Sequence, residues 1–396
     1  MKKKLLFVIT NLDAGGAEKS LVNLLNTIDY ADYDVDLILF QKKGIFLPLL
    51  PKEVVVLEMN SDCQWFSKGL LVSCFYFLVQ FKFKLFFNRI LGALRHKMEK
   101  NKVIAEQESW RYFSKSIKFV TKEYDAAIGF LEKSSIYFTV DKVKATTKIG
   151  WIHTTYSNSG MSADFDINYF QQLNFIVGVS PECVLDLKHC FPSLQNKMKL
   201  IYNIISPDLI SKLSLVDLSD PLMHFQPLLL TIARLSSEKG IDLALDAAVI
   251  LKQKAVSFTW IVIGDGPERL SLESKIKSQG MESYFQLVGL KQNPYPYMAA
   301  CTVYVQPSRY EGKSMAIEEA KILRKPIVVT DFSSSKDQIV DSETGVIAAI
   351  NAPSLAEKLE NLLNNPAQQN YLALNLSRQN FGTAAEIEQL YDLLNG

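Results

Sequence analysis

Two glutamates eight residues apart are the strongest candidates for chemistry in this sequence. Glu311 follows an apolar strand that ends at Gln306–Pro307, and Glu319 lies about one turn into the helix that starts within 313–315. Four backbone amides open that helix, those of Gly312, Lys313, Ser314 and Met315. Such amides favour a phosphate, whereas carboxylates beside a phosphate must accept hydrogen bonds from hydroxyls. The pattern predicts a ligand with phosphates and sugar hydroxyls; a solvated, acid-rich helix start is the alternative, and we interpret Glu318 that way.

Two cations follow the first strand of the same half of the chain. Arg234 lies just past that strand, and Lys239 lies five residues further on, ahead of Gly240 and a helix. A guanidinium and an ammonium on one loop suit a diphosphate, although two solvated loop cations are the alternative. The turn Gly264–Asp265–Gly266–Pro267 follows the next strand, and its aspartate serves either as a helix cap or as a ligand contact.

The first half of the chain offers weaker candidates. Gly15 and Gly16 follow the first strand, where they would let a ligand approach the backbone at a helix N-terminus. The spacing is not the GxGxxG of dinucleotide-binding proteins, so ordinary turn chemistry is the alternative. His153 comes directly after a strand in KIGWIHTTY. A lone histidine is more often structural, but a position at the carboxyl end of a strand favours a role in binding.

The pattern that positions these residues is an alternation of β-branched runs with helical stretches, which is typical of parallel α/β sheets. Thirteen strands are predicted, at 5–10, 35–40, 54–57, 126–130, 148–151, 175–179, 199–201, 228–233, 258–263, 285–288, 303–306, 327–330 and 345–347. They divide into two doubly wound sheets, with a connector at 203–226. Two such sheets facing each other would form a cleft at the carboxyl ends of their strands, where ligands bind.

The predicted domains are 1–206 and 207–380, followed by a C-terminal segment, 381–396. Residues from 366 are polar up to a helical pattern at Glu386–Leu394. Within the first domain, residues 61–122 show no strand pattern and form a helical insertion. Between Trp65 and Lys122 there are 12 Lys or Arg against 3 Asp or Glu, a local charge of +9. This basic, aromatic segment suits an anionic membrane surface, although domain helices with solvated lysines are the alternative.

Composition excludes several classes of protein. The chain of 396 residues is 48% hydrophobic and 21% charged, which is globular, and its net charge of +1 argues against nucleic-acid binding. The start, MKKKLLFVIT, predicts a buried strand and no signal peptide, and Gly69–Phe81 is too short to cross a bilayer. Five cysteines without metal-like spacing indicate reduced thiols in a cytoplasmic protein. Asp34-x-Asp36 and Asp164-x-Asp166 are interpreted as chance matches to a metal motif, so no metal or other cofactor is expected.

Together these motifs resemble those of the family 4 glycosyltransferases, which are retaining enzymes of the GT-B fold with two Rossmann-like domains. The resemblance rests on Gly15–Gly16–Ala17–Glu18, Arg234 with Lys239–Gly240, Gly264–Asp265–Gly266–Pro267, and Glu311-x7-Glu319 behind Pro307–Ser308. It covers nearly the whole second domain and both ends of the first. One departure is Lys313, where the family usually has a small or apolar residue, and this leaves the donor sugar open.

The resemblance implies a role for each motif. Arg234, Lys239 and the amides after Glu311 would bind and neutralise the donor diphosphate in place of a metal, with Gly264 beside them. Glu311 and His153 would contact the transferred sugar, and Glu319 the ribose. Gly15 and Gly16 would approach the diphosphate from the first domain, and the last helix would cross back to that domain.

The expected function is metal-independent transfer of a sugar from a nucleotide-diphosphate sugar, with UDP as the expected nucleotide, to an acceptor hydroxyl. The basic insertion favours a polyprenyl-diphosphate-linked saccharide as acceptor, at the inner face of a bacterial membrane during surface polysaccharide synthesis. Two alternatives are a non-catalytic GT-B subunit that supports a partner transferase and a sugar-nucleotide epimerase.

Overall fold

The chain forms two compact units in the computed structural model, which describes residues 2–13, 15–216 and 220–395. The first unit consists of the residues up to Ile204 together with those from Thr383 onwards. The second unit is Ile205–Gly382. Each unit consists of a parallel β-sheet with helices, so the expected α/β class is confirmed.

The sheet of the first unit has seven parallel strands in the described residues. These are β1 (Lys3–Ile9), β2 (Tyr33–Leu39), β3 (Val55–Leu57), β4 (Tyr124–Gly129), β5 (Ala145–Ile152), β6 (Phe175–Gly178) and β7 (Met198–Leu200). Their order is β3-β2-β1-β4-β5-β6-β7. The direction of winding therefore reverses between β1 and β4, and such a switch point opens a crevice at the carboxyl ends of the strands.

The sheet of the second unit has six parallel strands in the part of the chain that the structure describes. These are β8 (Leu228–Ile232), β9 (Thr259–Ile263), β10 (Phe285–Leu287), β11 (Val303–Gln306), β12 (Ile327–Thr330) and β13 (Val346–Ala348). Their order is β10-β9-β8-β11-β12-β13, which places the switch point between β8 and β11. All thirteen predicted strands form, with ends within three residues of those predicted.

Helices connect the strands. They are α1 (Gly16–Thr27), α2 (Ser61–Phe66), α3 (Leu70–Val79), α4 (Phe83–Met98), α5 (Lys102–Phe113), α6 (Ser134–Lys142), α7 (Ala163–Phe170), α8 (Pro181–Cys190), α9 (Pro207–Ser214), α10 (Ile241–Gln253), α11 (Arg269–Ser278), α12 (Tyr295–Ala300), α13 (Met315–Ile322), α14 (Ser335–Gln338), α15 (Ala352–Leu363), α16 (Pro366–Ser377) and α17 (Ile387–Asn395). Helices α2–α5 lie between β3 and β4, where the sequence shows the helical insertion. No helix in the described ranges is both long and apolar enough to span a membrane.

The last helix, α17, belongs to the first unit. Ile387, Leu390 and Leu394 lie in the same buried cluster as residues of β1 and β2. Tyr391 stacks on Tyr33 with ring centroids 4.9 Å apart. Because burial of apolar side chains is the main favourable term in folding, these contacts fix the end of the chain to this unit.

Candidate functional site

The loops after β8 and β11 bring Lys239 and Glu311 into direct contact at the switch point of the second sheet. Lys239 Nζ lies 2.7 Å from Glu311 Oε2, and the side chains are 24% and 8% exposed. Both residues were singled out from the sequence, 72 positions apart. The structure therefore places a cation and a carboxylate side by side where a parallel sheet binds its ligands.

A buried hydrogen-bond network holds the other oxygen of Glu311. Its Oε1 accepts from Gln306 Nε2 at 2.9 Å and from the Ser308 hydroxyl at 2.8 Å. Gln306 in turn accepts a hydrogen bond from the Tyr304 hydroxyl. An ionised carboxylate offers about four acceptor positions, of which these two contacts and Lys239 occupy three. One position is therefore left for a substrate hydroxyl.

Two glycines allow the loops to pack this closely. Gly240 has φ +65°, and a Cβ there would lie 2.0 Å from the carbonyl oxygen of Pro307. Gly264 has φ +153°, and a Cβ there would lie 1.8 Å from the carbonyl oxygen of Ala233. Both contacts are with backbone, which cannot move away cheaply. Glycine at these positions is therefore a requirement of the loop packing itself.

An ion pair outside the predicted set fastens the two loops together. Arg309 donates to both carboxylate oxygens of Asp242, at 2.8 and 2.7 Å, and to the carbonyl oxygen of Ser237. The backbone N–H groups of Arg309 and Tyr310 donate to the carbonyl oxygen of Glu238. The hydrogen bonds from Arg309 lower the pKa of Asp242. These contacts fix the loop of Glu311 relative to the loop of Lys239.

Arg234 lies exposed in the β8 loop. The pKa of Glu238 is lowered, first by the hydrogen bond from Ser236 and then by the charges of Lys239 and Arg234. The β8 loop thus presents positive charge at the switch point.

Asp265, in the loop after β9, is also exposed. Its Oδ1 accepts a hydrogen bond from the N–H of Gly266, as expected for turn chemistry.

The start of α13 differs in one respect from the expectation. The N–H of Ser314 donates to Gln338 Oε1 at 2.9 Å, so this amide is already engaged by α14 and is not available to a phosphate here. Gly312 and Lys313 are exposed, and a Cβ at Gly312 would meet nothing within 4 Å. Met315 is the first residue of the helix. Binding of phosphate at 312–315 stays a prediction.

Glu319 is fully buried beneath this surface. Its Oε1 accepts a hydrogen bond from the Tyr295 hydroxyl at 3.2 Å. Burial raises the pKa of Tyr295, and the negative charge of Glu319 raises it further. A ribose could reach the carboxylate only after neighbouring side chains move, and the proposed contact stays a prediction.

In the first unit, the start of α1 carries its own carboxylate. A Cβ added at Gly15 would lie 1.9 Å from Glu18 Oε2, so the Glu18 side chain folds back over the helix start at Gly16. Burial raises the pKa of Glu18. The approach of a diphosphate to Gly15 and Gly16 stays a prediction, and it would require this carboxylate to move or to be protonated.

Sequence analysis missed Glu132, which lies after β4 at the switch point of the first sheet. Its Oε1 accepts hydrogen bonds from the N–H of His153 at 2.5 Å and from the N–H of Thr154 at 3.0 Å. The next residue, Lys133, has φ +65°, a costly conformation for a residue with a side chain. An acid directly after the apolar run AAIGFL is the signal that could have identified it.

His153 lies at the end of β5, as its sequence context predicts. Its Nε2 lies 3.2 Å from the carbonyl oxygen of Phe130, to which it donates. Burial lowers the pKa of His153, while the charge of Glu132 partly offsets that effect. The side chain of Asn203 also interacts with the His153 ring and offsets a smaller part of the effect of burial. Burial thus favours the neutral form of the His153 ring.

The two Asp-x-Asp matches contain structural aspartates. Asp36 accepts hydrogen bonds from Lys122 and Tyr124. Asp166 accepts hydrogen bonds from two buried tyrosines. Among the residues in the described ranges, no group of three or more His, Cys, Asp or Glu side chains is placed to hold a metal ion.

Comparison with known proteins gives the same class as the fold and motifs. Residues 222–380 match the family described as Glycosyl transferases group 1. The chain is 29% identical over 153 residues to alpha-D-kanosaminyltransferase of Streptomyces kanamyceticus, covering 38% of this chain and 40% of that protein. It is 27% identical over 180 residues to the Campylobacter jejuni N-acetylgalactosamine-N,N'-diacetylbacillosaminyl-diphospho-undecaprenol 4-alpha-N-acetylgalactosaminyltransferase, covering 45% of this chain and 47% of that protein. The matches thus span less than half of the length of these two relatives.

The similarity in structure extends over the whole chain. The crystal structure of Anabaena HepE in complex with UDP and glucose has a TM-score of 0.67 and 17% identity, covering 99% of each chain. At this identity the likeness establishes the fold, which is GT-B. The chain therefore has the GT-B fold, and its residues 222–380 match the group 1 glycosyltransferase family.

Proposed function

We propose that this protein is a retaining glycosyltransferase that transfers a sugar from a UDP-linked donor to an acceptor hydroxyl. The observation that carries the proposal is the contact of Lys239 with Glu311 at the switch point of the second sheet. A diphosphate needs cations and a sugar needs hydrogen-bond acceptors. Both requirements meet in these two side chains.

The leaving diphosphate gains negative charge as the bond from C1 of the sugar to the phosphate oxygen breaks. Lys239 has three N–H donors, so it can keep its bond to Glu311 and donate to a phosphate oxygen as well. Exposed Arg234 supplies a second positive charge. Positive charge on this loop would support transfer without a divalent cation, since it would stabilise the negative charge that develops on the diphosphate.

Retention of configuration follows if the acceptor attacks on the face that the diphosphate leaves. The acceptor oxygen then forms the new bond to C1, and the departing phosphate oxygen takes the proton of the acceptor hydroxyl. Glu311, held by Gln306 and Ser308, would orient the sugar through one hydroxyl. A part for His153 in this step stays a prediction.

We further propose that the acceptor is a polyprenyl-diphosphate-linked saccharide at the cytoplasmic face of a bacterial membrane, as in surface polysaccharide synthesis. The name of the Campylobacter relative includes a diphospho-undecaprenol acceptor. The exposed apolar residues of α4 lie three or four positions apart, at Phe83, Phe87, Leu91, Leu94 and Met98. This spacing forms one helical face, and Lys84 and Lys97 next to it are exposed. An apolar face flanked by cations suits an anionic bilayer surface.

Thermal unfolding with a panel of nucleotides tests the donor. At a ligand concentration of 100 times Kd the stabilisation is about 2.7 kcal/mol. For a unit of this size that corresponds to a shift in Tm of roughly 5–10 °C. We expect UDP to give the largest shift, equally with EDTA present. Failure of every nucleoside diphosphate to stabilise the protein would refute a donor site.

Incubation with the donor alone separates transfer from isomerisation. A transferase returns the UDP-sugar unchanged or slowly hydrolysed, whereas an epimerase produces an isomeric UDP-sugar. If UDP binds but no acceptor of any kind is ever glycosylated, the alternative of a non-catalytic subunit is favoured instead.

A further inference from the structure

A cavity of about 580 Å³ lies in the first unit, and nothing described so far uses it. It opens at the carboxyl ends of β2 and β3, where parallel sheets bind ligands. Leu39, Phe40 and Met59 form an apolar floor, and Gln64 and Lys68 belong to a polar rim. A volume of this size lies within the range of sites for small molecules.

The cavity adjoins the loop that follows β1. The N–H of Gln41, on the cavity rim, donates to the carbonyl oxygen of Thr10 at 2.9 Å. Two residues further along each loop, the N–H of Leu12 donates to the carbonyl oxygen of Lys43 at 3.0 Å. Backbone hydrogen bonds therefore join the rim of the cavity to the loop that carries Gly15.

The rim carries two lysines in different situations. Lys42 pairs with Glu58 at 3.4 Å, so its charge is partly neutralised. Lys68 instead lies over the ring of Trp65, with Nζ 3.9 Å from the ring centroid. An aromatic ring holds an ammonium in place without neutralising its charge. Lys68 is therefore the rim cation that is best placed to attract an anion.

Lys68 also stands at the boundary between the cavity and an apolar surface. It lies between the end of α2 at Phe66 and the start of α3 at Leu70. On α3, Leu71 is 84% exposed and Phe75 is 70% exposed. A polar cavity, a cation and an exposed apolar face thus follow one another along α2 and α3.

We infer that this cavity binds the acceptor, a saccharide linked through a diphosphate to a prenyl chain. The saccharide occupies the cavity, where the side-chain oxygens of Gln64 and Ser67 accept hydrogen bonds from its hydroxyls. The Gln64 Nε2 and the Ser67 hydroxyl themselves donate to the carbonyl oxygens of Met59 and Cys63. The diphosphate lies at Lys68, and the prenyl chain lies along the exposed face of α3. The inference rests on the proposed function, and it adds where and in which orientation the acceptor binds.

Calorimetric titration of the full chain with soluble glycolipids tests the inference. The probes are farnesyl-diphosphate-linked glucose, galactose and N-acetylglucosamine, with farnesyl diphosphate and the free sugars as comparisons. We expect at least one glycolipid to bind more tightly than farnesyl diphosphate or its own free sugar. If no glycolipid binds to the wild-type chain, the inference is wrong.

Three exposed positions locate the site. Lys68→Glu should weaken glycolipid binding by about tenfold or more, and Ser67→Trp, which fills the cavity, should abolish it. Lys52→Glu makes the same charge change on the first unit outside the cavity, and it should stay within about twofold of wild type, as a change in a screened surface charge does. Equal losses for Lys68→Glu and Lys52→Glu would overturn the inference.

UDP binding, measured on the same samples, keeps the two proposals apart. We expect all three variants to bind UDP as the wild-type chain does, because the candidate donor residues lie in the second unit. If the wild-type chain does not bind UDP, the proposed function is refuted. Normal UDP binding together with unselective glycolipid binding would refute only the acceptor site.

Discussion

Lys239 Nζ donates a 2.7 Å hydrogen bond to Glu311 Oε2 across two loops that the sheet order brings together. In this structure the cation assigned to the diphosphate and the carboxylate assigned to the sugar are each other's partner. Donor binding therefore has to share Lys239 between Glu311 and a phosphate oxygen. The two residues should consequently affect UDP binding in opposite directions.

Substitution of each partner tests this relationship. Lys239→Gln should weaken UDP binding by roughly ten- to a hundredfold, since a charge-assisted hydrogen bond contributes about 1.5–3 kcal/mol. Glu311→Gln should leave UDP binding equal or tighter, because it frees Lys239, yet reduce transfer by about a hundredfold or more. Calorimetry with UDP and a transfer assay measure the two effects. Lys254→Gln, which breaks the Lys254–Glu360 pair in the same unit, is the control and should change neither.

The hydroxyl of Ser308 should matter for transfer as well as for stability. Ser308→Ala removes a donor to Glu311 and an acceptor for Gln306, at a cost of about 1–3 kcal/mol in the free energy of unfolding. Thr231→Val removes a buried hydroxyl that bonds to Val305 and Trp260 in the same unit. Urea unfolding should show comparable losses for the two variants. Only Ser308→Ala should reduce kcat, and a similar kcat for both would mean that Ser308 is purely structural.

The fold was predictable because the strands are short apolar runs with clear ends. VYVQP and PIVVT are buried on both faces of a parallel sheet and carry no competing helical pattern. Helix α16 was not predicted, since Pro366–Ser377 shows little apolar periodicity in a mainly polar sequence. The helix is instead stabilised by burial of its Leu372 and Leu376 side chains, which the weak apolar periodicity does not indicate.

The site was only partly predictable, because pairing depends on distance in space. Motifs identified Lys239 and Glu311 separately, but nothing in the sequence indicates their contact or the clamp of Arg309 on Asp242. Glu318 was expected to be solvated, and this was wrong: it is buried and pairs with Lys321 at 2.9 Å. Neighbours of α13 that are distant in the sequence cover this side chain.

The pKa of the His153 ring should lie below that of an unperturbed histidine. Burial lowers its pKa, so below about pH 6.5 the unfolded chain binds a proton that the folded chain does not bind. Stability of the first unit should therefore fall as pH decreases from about 6.5 towards the folded pKa. NMR titration of the four histidine rings measures the pKa, with His153→Gln to assign the signal. Glu132→Gln should lower this pKa further, since the charge of Glu132 raises it; an unchanged or higher value would contradict the contact.

The clamp between Arg309 and Asp242 should restrict the motion of the Glu311 loop. Arg309→Lys keeps the charge but loses the two-fold geometry, at a cost in stability of about 1 kcal/mol or less because the pair is partly exposed. Hydrogen exchange at the amides of 309 and 310, which bond to Glu238, should become faster. Arg95→Lys alters a similar two-fold contact with Glu108 in the first unit and is the control. Unchanged exchange at 309 and 310 would show that the clamp does not hold the loop.

The pH dependence of this clamp has a defined sign. Arg309 lowers the pKa of Asp242, so the stabilisation is present above the unfolded value of about 3.9 and is lost as pH falls through the folded value. The difference in unfolding free energy between the wild-type chain and Arg309→Lys should therefore be largest near neutral pH and shrink below about pH 4. A difference that grows on acidification would contradict this assignment.

Binding to anionic vesicles should depend on the exposed faces of α3 and α4. Leu71→Ser and Phe87→Ser should each weaken sedimentation with vesicles that contain phosphatidylglycerol by roughly three- to tenfold, because each removes about 1 kcal/mol of apolar burial. Leu185→Ser makes the same change at a leucine that is 67% exposed on α8, outside the insertion, and should have no effect. Binding should decrease with added salt, because salt screens the attraction between the lysines and the anionic lipid. It should also be weaker with vesicles of phosphatidylcholine alone, because these carry no net negative charge. If the three variants bind equally, α3 and α4 do not form the membrane surface, whether or not the protein transfers sugars.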